Sequence, residues 1–266
     1  MLILEGAYDV GQMAPWPLFV VAGAAIGTLT GLFGVGGSSI ATPVLAVLGV
    51  PALLAVASPL PATIPAALGA AGPYVREREA RPRAAAWTLV GALPAAVIGA
   101  MASELVGGPI LLIASGLVLI VVGQRVLRPI EQSTRSAGTV RRKNRLLLVA
   151  ASAGVGLFTG LLANGGGFLL VPMYLLVFGL RMREAAGTSL LVIAALAVPT
   201  LATHWVLGHI DWTVAGAFAL GAIPTSVASG RLAQRVTGTR LRHAFGWFLI
   251  GSGIAFVSYR VLAAIG

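Results

Sequence analysis

Apolar residues fall into ten runs, at about 14–33, 38–50, 52–75, 84–106, 109–127, 146–163, 168–180, 185–207, 212–230 and 243–263. Most reach or approach the ~20 residues that an α-helix needs to cross hydrocarbon. The runs 38–50 and 168–180 are shorter, and each follows a glycine cluster. A helix that short cannot span alone, so each is expected to be one arm of a broken or re-entrant hairpin. The pattern predicts an all-α integral membrane protein.

The runs also repeat. A shift of 129 residues places Gly27, Thr30, Gly31 and Leu32 on Gly156, Thr159, Gly160 and Leu161, and Gly36, Gly37 and Pro43 on Gly165, Gly166 and Pro172. A shift of 130 then matches Gly91, Ala92 and Pro94 with Gly221, Ala222 and Pro224. Each half therefore carries a glycine-broken helical hairpin followed by three long transmembrane helices. The first repeat is read as 1–127, the second as 146–266, and the polar, basic stretch 128–145 as a linker.

Charge orients this arrangement. With the N-terminus outside, the loops at 76–83, 125–145, 181–184 and 231–242 lie inside and hold 17 of the 18 basic residues. Only Arg260 falls near an outer end, as the positive-inside rule requires. The linker is then cytoplasmic and both termini are outside. The two halves start from opposite sides, which makes them inverted-topology repeats, the usual build of secondary transporters.

Composition narrows the function. Apolar residues make up 58% of the chain and charged residues 10%, and mean hydropathy is +0.94. So few charges cannot clothe a soluble surface of this size, whereas lipid solvates an apolar one. The net charge of +10 is accounted for by the inner loops, so no nucleic-acid partner is expected. The N-terminus lacks a basic stretch before its first apolar run, so no cleaved signal peptide is expected. With no cysteine and three scattered histidines, neither a metal site nor thiolate chemistry is expected. No phosphate-binding loop occurs and no nucleophile–base pair is evident, so the chain is read as neither an ATPase nor an enzyme, and no cofactor is expected.

Candidate binding residues lie at the glycine clusters Gly34, Gly36, Gly37, Ser38 and Ser39, and Asn164, Gly165, Gly166 and Gly167. A glycine run within the membrane frees backbone N–H and C=O groups, which must then line a cavity or meet protein. A short helix that starts there points its N-terminal N–H groups at the gap, a setting that suits an anion. Close helix packing is the competing role for the same glycines. Ser58, Thr188 and Ser189 follow the hairpins and offer hydroxyls, either to a ligand or to the carbonyl one turn back. No carboxylate falls near the middle of an apolar run, which argues against cation transport. His204 is the one intramembrane titratable group, a candidate for proton coupling or an interfacial residue beside Trp205.

The repeated G-L-x₃-G-G-x₅-P pattern, from Gly31-Leu32 to Pro43 and from Gly160-Leu161 to Pro172, resembles the sulfite exporter TauE/SafE family, as does the Ala-Gly-Thr-Ser-Leu stretch at 186–190. The resemblance implies a multi-pass permease of a bacterial inner membrane that exports sulfite, sulfoacetate or related organosulfonates. The first half departs from the pattern: Ser38 replaces the third glycine, Val35 stands where Asn164 stands, and Ser58-Pro59 replaces Thr188-Ser189. The expected mechanism is alternating access around a small anion held between the two hairpins. An anion channel, or a permease for another small organic anion, is the alternative. Lipid and the anion are the expected partners, with the oligomeric state left open.

Overall fold

A computed structural model describes residues 14–106, 108–128, 142–161 and 167–265. Among these, eleven helices and no strands occur: α1 (Trp16–Phe33), α2 (Ser38–Val47), α3 (Ala52–Ala57), α4 (Leu60–Arg76), α5 (Pro82–Val106), α6 (Gly108–Leu127), α7 (Arg142–Leu161), α8 (Gly167–Leu176), α9 (Met182–Val206), α10 (Trp212–Ala233) and α11 (Gly238–Ile265). The apolar run 52–75 is divided at Ser58-Pro59, where the sequence pattern suggested one continuous segment. Three of the residues around this division are hydroxyl or imino (Ser58, Pro59 and Pro61), and a proline ring removes one donor and crowds the preceding turn.

Among the described residues, four spans are long and apolar enough to cross a membrane: Trp16–Phe33, Leu53–Arg76, Met182–Val206 and Trp212–Ala233. Their outward faces are apolar. Val21, Leu68, Val198 and Leu220 are all exposed, which suits lipid and would be a liability in water. Trp205 packs edge-on against Trp212 with ring centroids 5.7 Å apart, and both are exposed, as is Trp16 at the start of α1. Tryptophans grouped at helix ends in this way match the interfacial belt of membrane proteins.

The helix pairs are close because small residues face each other. On α1, Gly23, Gly27 and Gly31 form a stripe against α10. A Cβ at Gly27 would lie 2.3 Å from the carbonyl oxygen of Ala222, and one at Gly23 2.2 Å from that of Phe218. The contacts ascend together along both chains, so α1 and α10 run parallel. Helices α5 and α7 are packed alike: a Cβ at Gly156 would lie 2.4 Å from the Ala92 oxygen, and one at Gly91 2.3 Å from that of Val149. Helices α6 and α11 cross antiparallel, with Gly116 against Gly253 and Gly123 against Gly246. Without a hydrophobic drive between helices in lipid, such close contact is what holds them together. Gly27 with Ala222 and Gly156 with Ala92 are the same contact displaced by the offsets of the sequence repeat.

The first hairpin returns to the side where it began. Helix α2 has ten residues, about 15 Å of rise, too little to cross hydrocarbon. The Ala14 N–H, just before α1, donates to the Leu48 carbonyl just after α2 at 3.0 Å. Helix α8 also has ten residues.

Candidate functional site

At the first glycine cluster, α1 ends because Gly34 takes a left-handed conformation, φ +69°, which an L side chain rarely adopts. Its N–H donates to the Thr30 carbonyl at 2.9 Å, and its Cα side lies directly on the backbone of Ala186 in α9. Val35 and Gly36 are buried behind it. Gly37 opens α2, its carbonyl accepting from Ala41 N–H at 2.9 Å. The side chains of Ser38 and Ser39 lie outside the described ones. A narrow cavity with room for about one water molecule lies between α1, α4 and α10; Gly37, Thr30 and Thr63 are in its wall. The Thr30 and Thr63 hydroxyls donate to the carbonyls of Ile26 and Pro59, each one turn back, which leaves their oxygens free to accept.

The carbonyls freed at the end of α1 have a partner. The buried Tyr74 hydroxyl, on α4, reaches the Gly31 oxygen at 2.8 Å and the Leu32 oxygen at 3.2 Å. Its side chain packs on Gly187, where an added Cβ would lie 2.6 Å from the Tyr74 Cβ and 3.0 Å from the ring. Tyr74 therefore fills the space between the first break and the start of α9.

Of the second cluster, Asn164, Gly165 and Gly166 lie outside the described residues, and Gly167 is the first residue of α8. The end of α1 and the start of α8 approach each other through three rings. Phe33, the last residue of α1, stacks on Phe248 of α11 at 5.5 Å between centroids. Phe168, the second residue of α8, stacks on the same Phe248 at 6.1 Å. Phe33 also packs on Phe245 at 5.5 Å.

The hydroxyl candidates separate. Thr188 is fully buried next to Tyr74's neighbour Gly187; its hydroxyl accepts from the Arg81 N–H at 3.0 Å and donates to the Glu184 carbonyl at 2.6 Å. Ser189 is fully buried and its hydroxyl has no hydrogen-bond partner among the described residues. Ser58, also fully buried, lies at the far end of α4, about 24 Å along the helix from Tyr74. Its hydroxyl accepts from the Asp211 N–H at 3.1 Å, and the Asp211 carboxylate caps α10 by accepting from Thr213 and Val214. His204 is half-buried at the last turn of α9, its Nδ1 3.3 Å from that of His209, far along the helix from Thr188.

Gly34 thus meets α9 at Ala186, two residues before Thr188, and Gly37 lines the small cavity with Thr30 and Thr63. The start of α8 reaches the end of α1 through Phe248, and Ser58 and His204 lie at the tryptophan end. Sequence reasoning missed Phe33, Phe168, Phe248 and Tyr74. Phe33 and Phe168 flank the glycine clusters directly, a signal visible in the sequence; Phe248 and Tyr74 carry no local mark.

Comparison with known proteins follows this geometry. The family model described as Sulfite exporter TauE/SafE matches residues 19–256. The "Probable membrane transporter protein YunE" of Bacillus subtilis (strain 168) is 30% identical over 88 residues, 33% of this chain and 31% of that protein. A "Probable membrane transporter protein" of Xylella fastidiosa (strain 9a5c) is 32% identical over 114 residues, 41% of this chain and 42% of its own length. The aligned parts thus span well under half of these curated relatives. No solved structure matches the chain at a significant level.

Proposed function

This chain belongs to the sulfite exporter TauE/SafE family, and from that premise we propose that it is a secondary transporter, an exporter of sulfite, sulfoacetate or related small sulfur-containing anions. The observation that carries the reading is the approach of the two hairpins: Phe33 before one break and Phe168 after the other rest on one ring, that of Phe248. Between them, N–H groups of the first turns of α2 and α8 supply donors without a fixed charge, which suits an oxyanion that must be released again. Ser189, buried and unpartnered, supplies a further hydroxyl; Ser38, Ser39 and Asn164 are the other side chains of this site.

The two halves, 1–127 and 146–266, are proposed as inverted repeats about a midplane site, with 128–145 as the cytoplasmic linker and both termini outside a bacterial inner membrane. Support comes from packing. The pairs α1–α10 and α7–α5 use glycines at equivalent repeat positions, as exchange of the halves requires. The pair α6–α11 maps onto itself, with Gly116 against Gly253 and Gly246 against Gly123. The basic residues at one set of loops support the orientation. Alternating access then moves one repeat against the other around the bound anion.

The test is flux into proteoliposomes of purified protein with radiolabelled sulfite and sulfoacetate, with and without a pH gradient. Saturable flux, competed by other sulfur oxoanions, is expected. Flux that does not saturate would replace the carrier with a channel, and no flux for any sulfur anion from folded protein would remove the substrate assignment.

A further inference from the structure

The corner between α4 and α5, from Tyr74 to Arg81, reaches two other parts of the chain directly and a third through Arg183. Tyr74 holds the carbonyls at the end of α1. Glu79 pairs with Arg183 at 3.3 Å, and Arg81 pairs with Glu184, both partners lying in the first turn of α9. The Arg81 N–H adds its bond to Thr188. Arg183 continues to the next corner, donating to the carbonyls of Gln234 at 3.0 Å and Val236 at 2.7 Å. Both ion pairs join the first half of the sequence to the second, and they are the two found among the described residues.

Three features mark this corner as built to move. The side chains of Arg81, Arg183 and Glu79 are part-exposed, at 36%, 27% and 23%, so water can receive their charges when the pairs part, while Glu184 is the most buried of the four. The pairs leave Glu79 Oε2, Arg81 Nε and Arg183 Nε buried and without partners, so the present arrangement uses only part of their bonding capacity. Arg78, between them, has φ +57°, the only non-glycine residue with positive φ among those described, a strained conformation that the surrounding contacts must maintain.

The corner holds Thr188 through the Arg81 N–H, and the next residue on α9 is the buried Ser189, whose hydroxyl has no partner among the described residues. We propose that the corner Tyr74–Arg81 is the gate at the arginine-rich end of the transport path, latched shut in this structure by Arg81–Glu184 and Glu79–Arg183, and coupled to the first glycine break through Tyr74. The inference rests on the transporter reading above. Opening the gate exchanges both ion pairs for hydration, withdraws Arg81 N–H from Thr188 and exposes Ser189 to the aqueous side.

The absence of cysteine makes the test direct, because an introduced thiol is the only one. Ser189→Cys, in proteoliposomes, is labelled with a charged, membrane-impermeant methanethiosulfonate applied from each side in turn. Adding Glu79→Gln and Glu184→Gln is expected to speed labelling from the arginine-rich side by about tenfold or more, as the population of open gates rises. The exchanged pair Arg81→Glu with Glu184→Arg is expected to return labelling toward the slow rate. A second reporter, Ser152→Cys, buried between α5 and α7, is expected to stay unreactive in the neutralised protein. An unchanged rate at Ser189→Cys in folded, neutralised protein would overturn the gate, and so would equal acceleration at Ser152→Cys, which would mean general loosening. Labelling needs no substrate, so gated labelling without sulfur-anion flux would reject the substrate and keep the gate.

Discussion

The Tyr74 hydroxyl lies 2.8 Å from the carbonyl oxygen of Gly31, forty-three residues earlier in the chain, and this bond closes the end of α1 where the glycine cluster breaks it. Helix ends leave carbonyls without partners, and in a membrane no bulk water is at hand to satisfy them. One phenol answers two of them, because Leu32 shares the same hydroxyl. Tyr74→Phe keeps the ring on Gly187 and removes only this bond. It is expected to cost about 1–3 kcal/mol, the penalty of leaving a buried acceptor unsatisfied, read as a lower thermal midpoint in detergent. An unchanged midpoint would show that another donor replaces the hydroxyl.

The glycine stripes make a paired prediction. Gly27→Ala drives a Cβ to within 2.3 Å of the Ala222 oxygen, so α1 and α10 must separate, and the yield of monodisperse protein is expected to collapse. Gly154, in α7, has nothing within 4 Å of its added Cβ. Gly154→Ala is expected to be neutral or to gain up to about 1 kcal/mol from helix propensity. Equal tolerance of both, followed by size-exclusion chromatography, would contradict the packing described.

Phe248 joins the two hairpins through two ring contacts. Phe248→Leu retains bulk and loses both aromatic pairs, at about 0.5–1.5 kcal/mol each beyond area burial. The thermal midpoint is expected to fall accordingly, and sulfite flux to fall further than the stability loss explains. Normal flux in this variant would separate Phe248 from the transport path.

Neighbouring hydroxyls on α9 are expected to behave oppositely. Thr188→Val takes away the acceptor of the Arg81 N–H and should destabilise by about 1–3 kcal/mol. Ser189→Ala removes a buried group that has no partner, so stability should hold or rise. If Ser189 meets the anion, the apparent KM for sulfite rises in the alanine variant while the fold is intact. A drop in stability with unchanged KM would give Ser189 a structural role instead.

Much of the architecture is legible in the linear pattern, for a physical reason. Hydrocarbon accepts only backbone that satisfies its own hydrogen bonds, so apolar length alone marks α1, α9 and α10, and glycine clusters mark where α2 and α8 begin. The division at Ser58-Pro59 was equally visible as a proline pair, yet the run's length concealed it. Ser58 shows the limit: the repeat offset aligned it with Thr188, but the fold gives its hydroxyl to Asp211, at the opposite end of α4 from Gly34. Glu184 shows it too: no local pattern marks it, yet it is half of a pair with Arg81, over a hundred residues away.

Helix identity, break positions and the spacing of small residues are local consequences of side-chain size and hydropathy, and one chain read in order suffices to find them. The partners of Tyr74, the meeting of Phe33 and Phe168 on Phe248, and the pairing of Glu79 and Arg81 with α9 depend on which helices lie side by side. That choice is made by the fit of whole helix faces, above all the glycine stripes that let α1 approach α10 and α5 approach α7. Complementarity between two surfaces is a property of the pair, and neither sequence segment carries it alone.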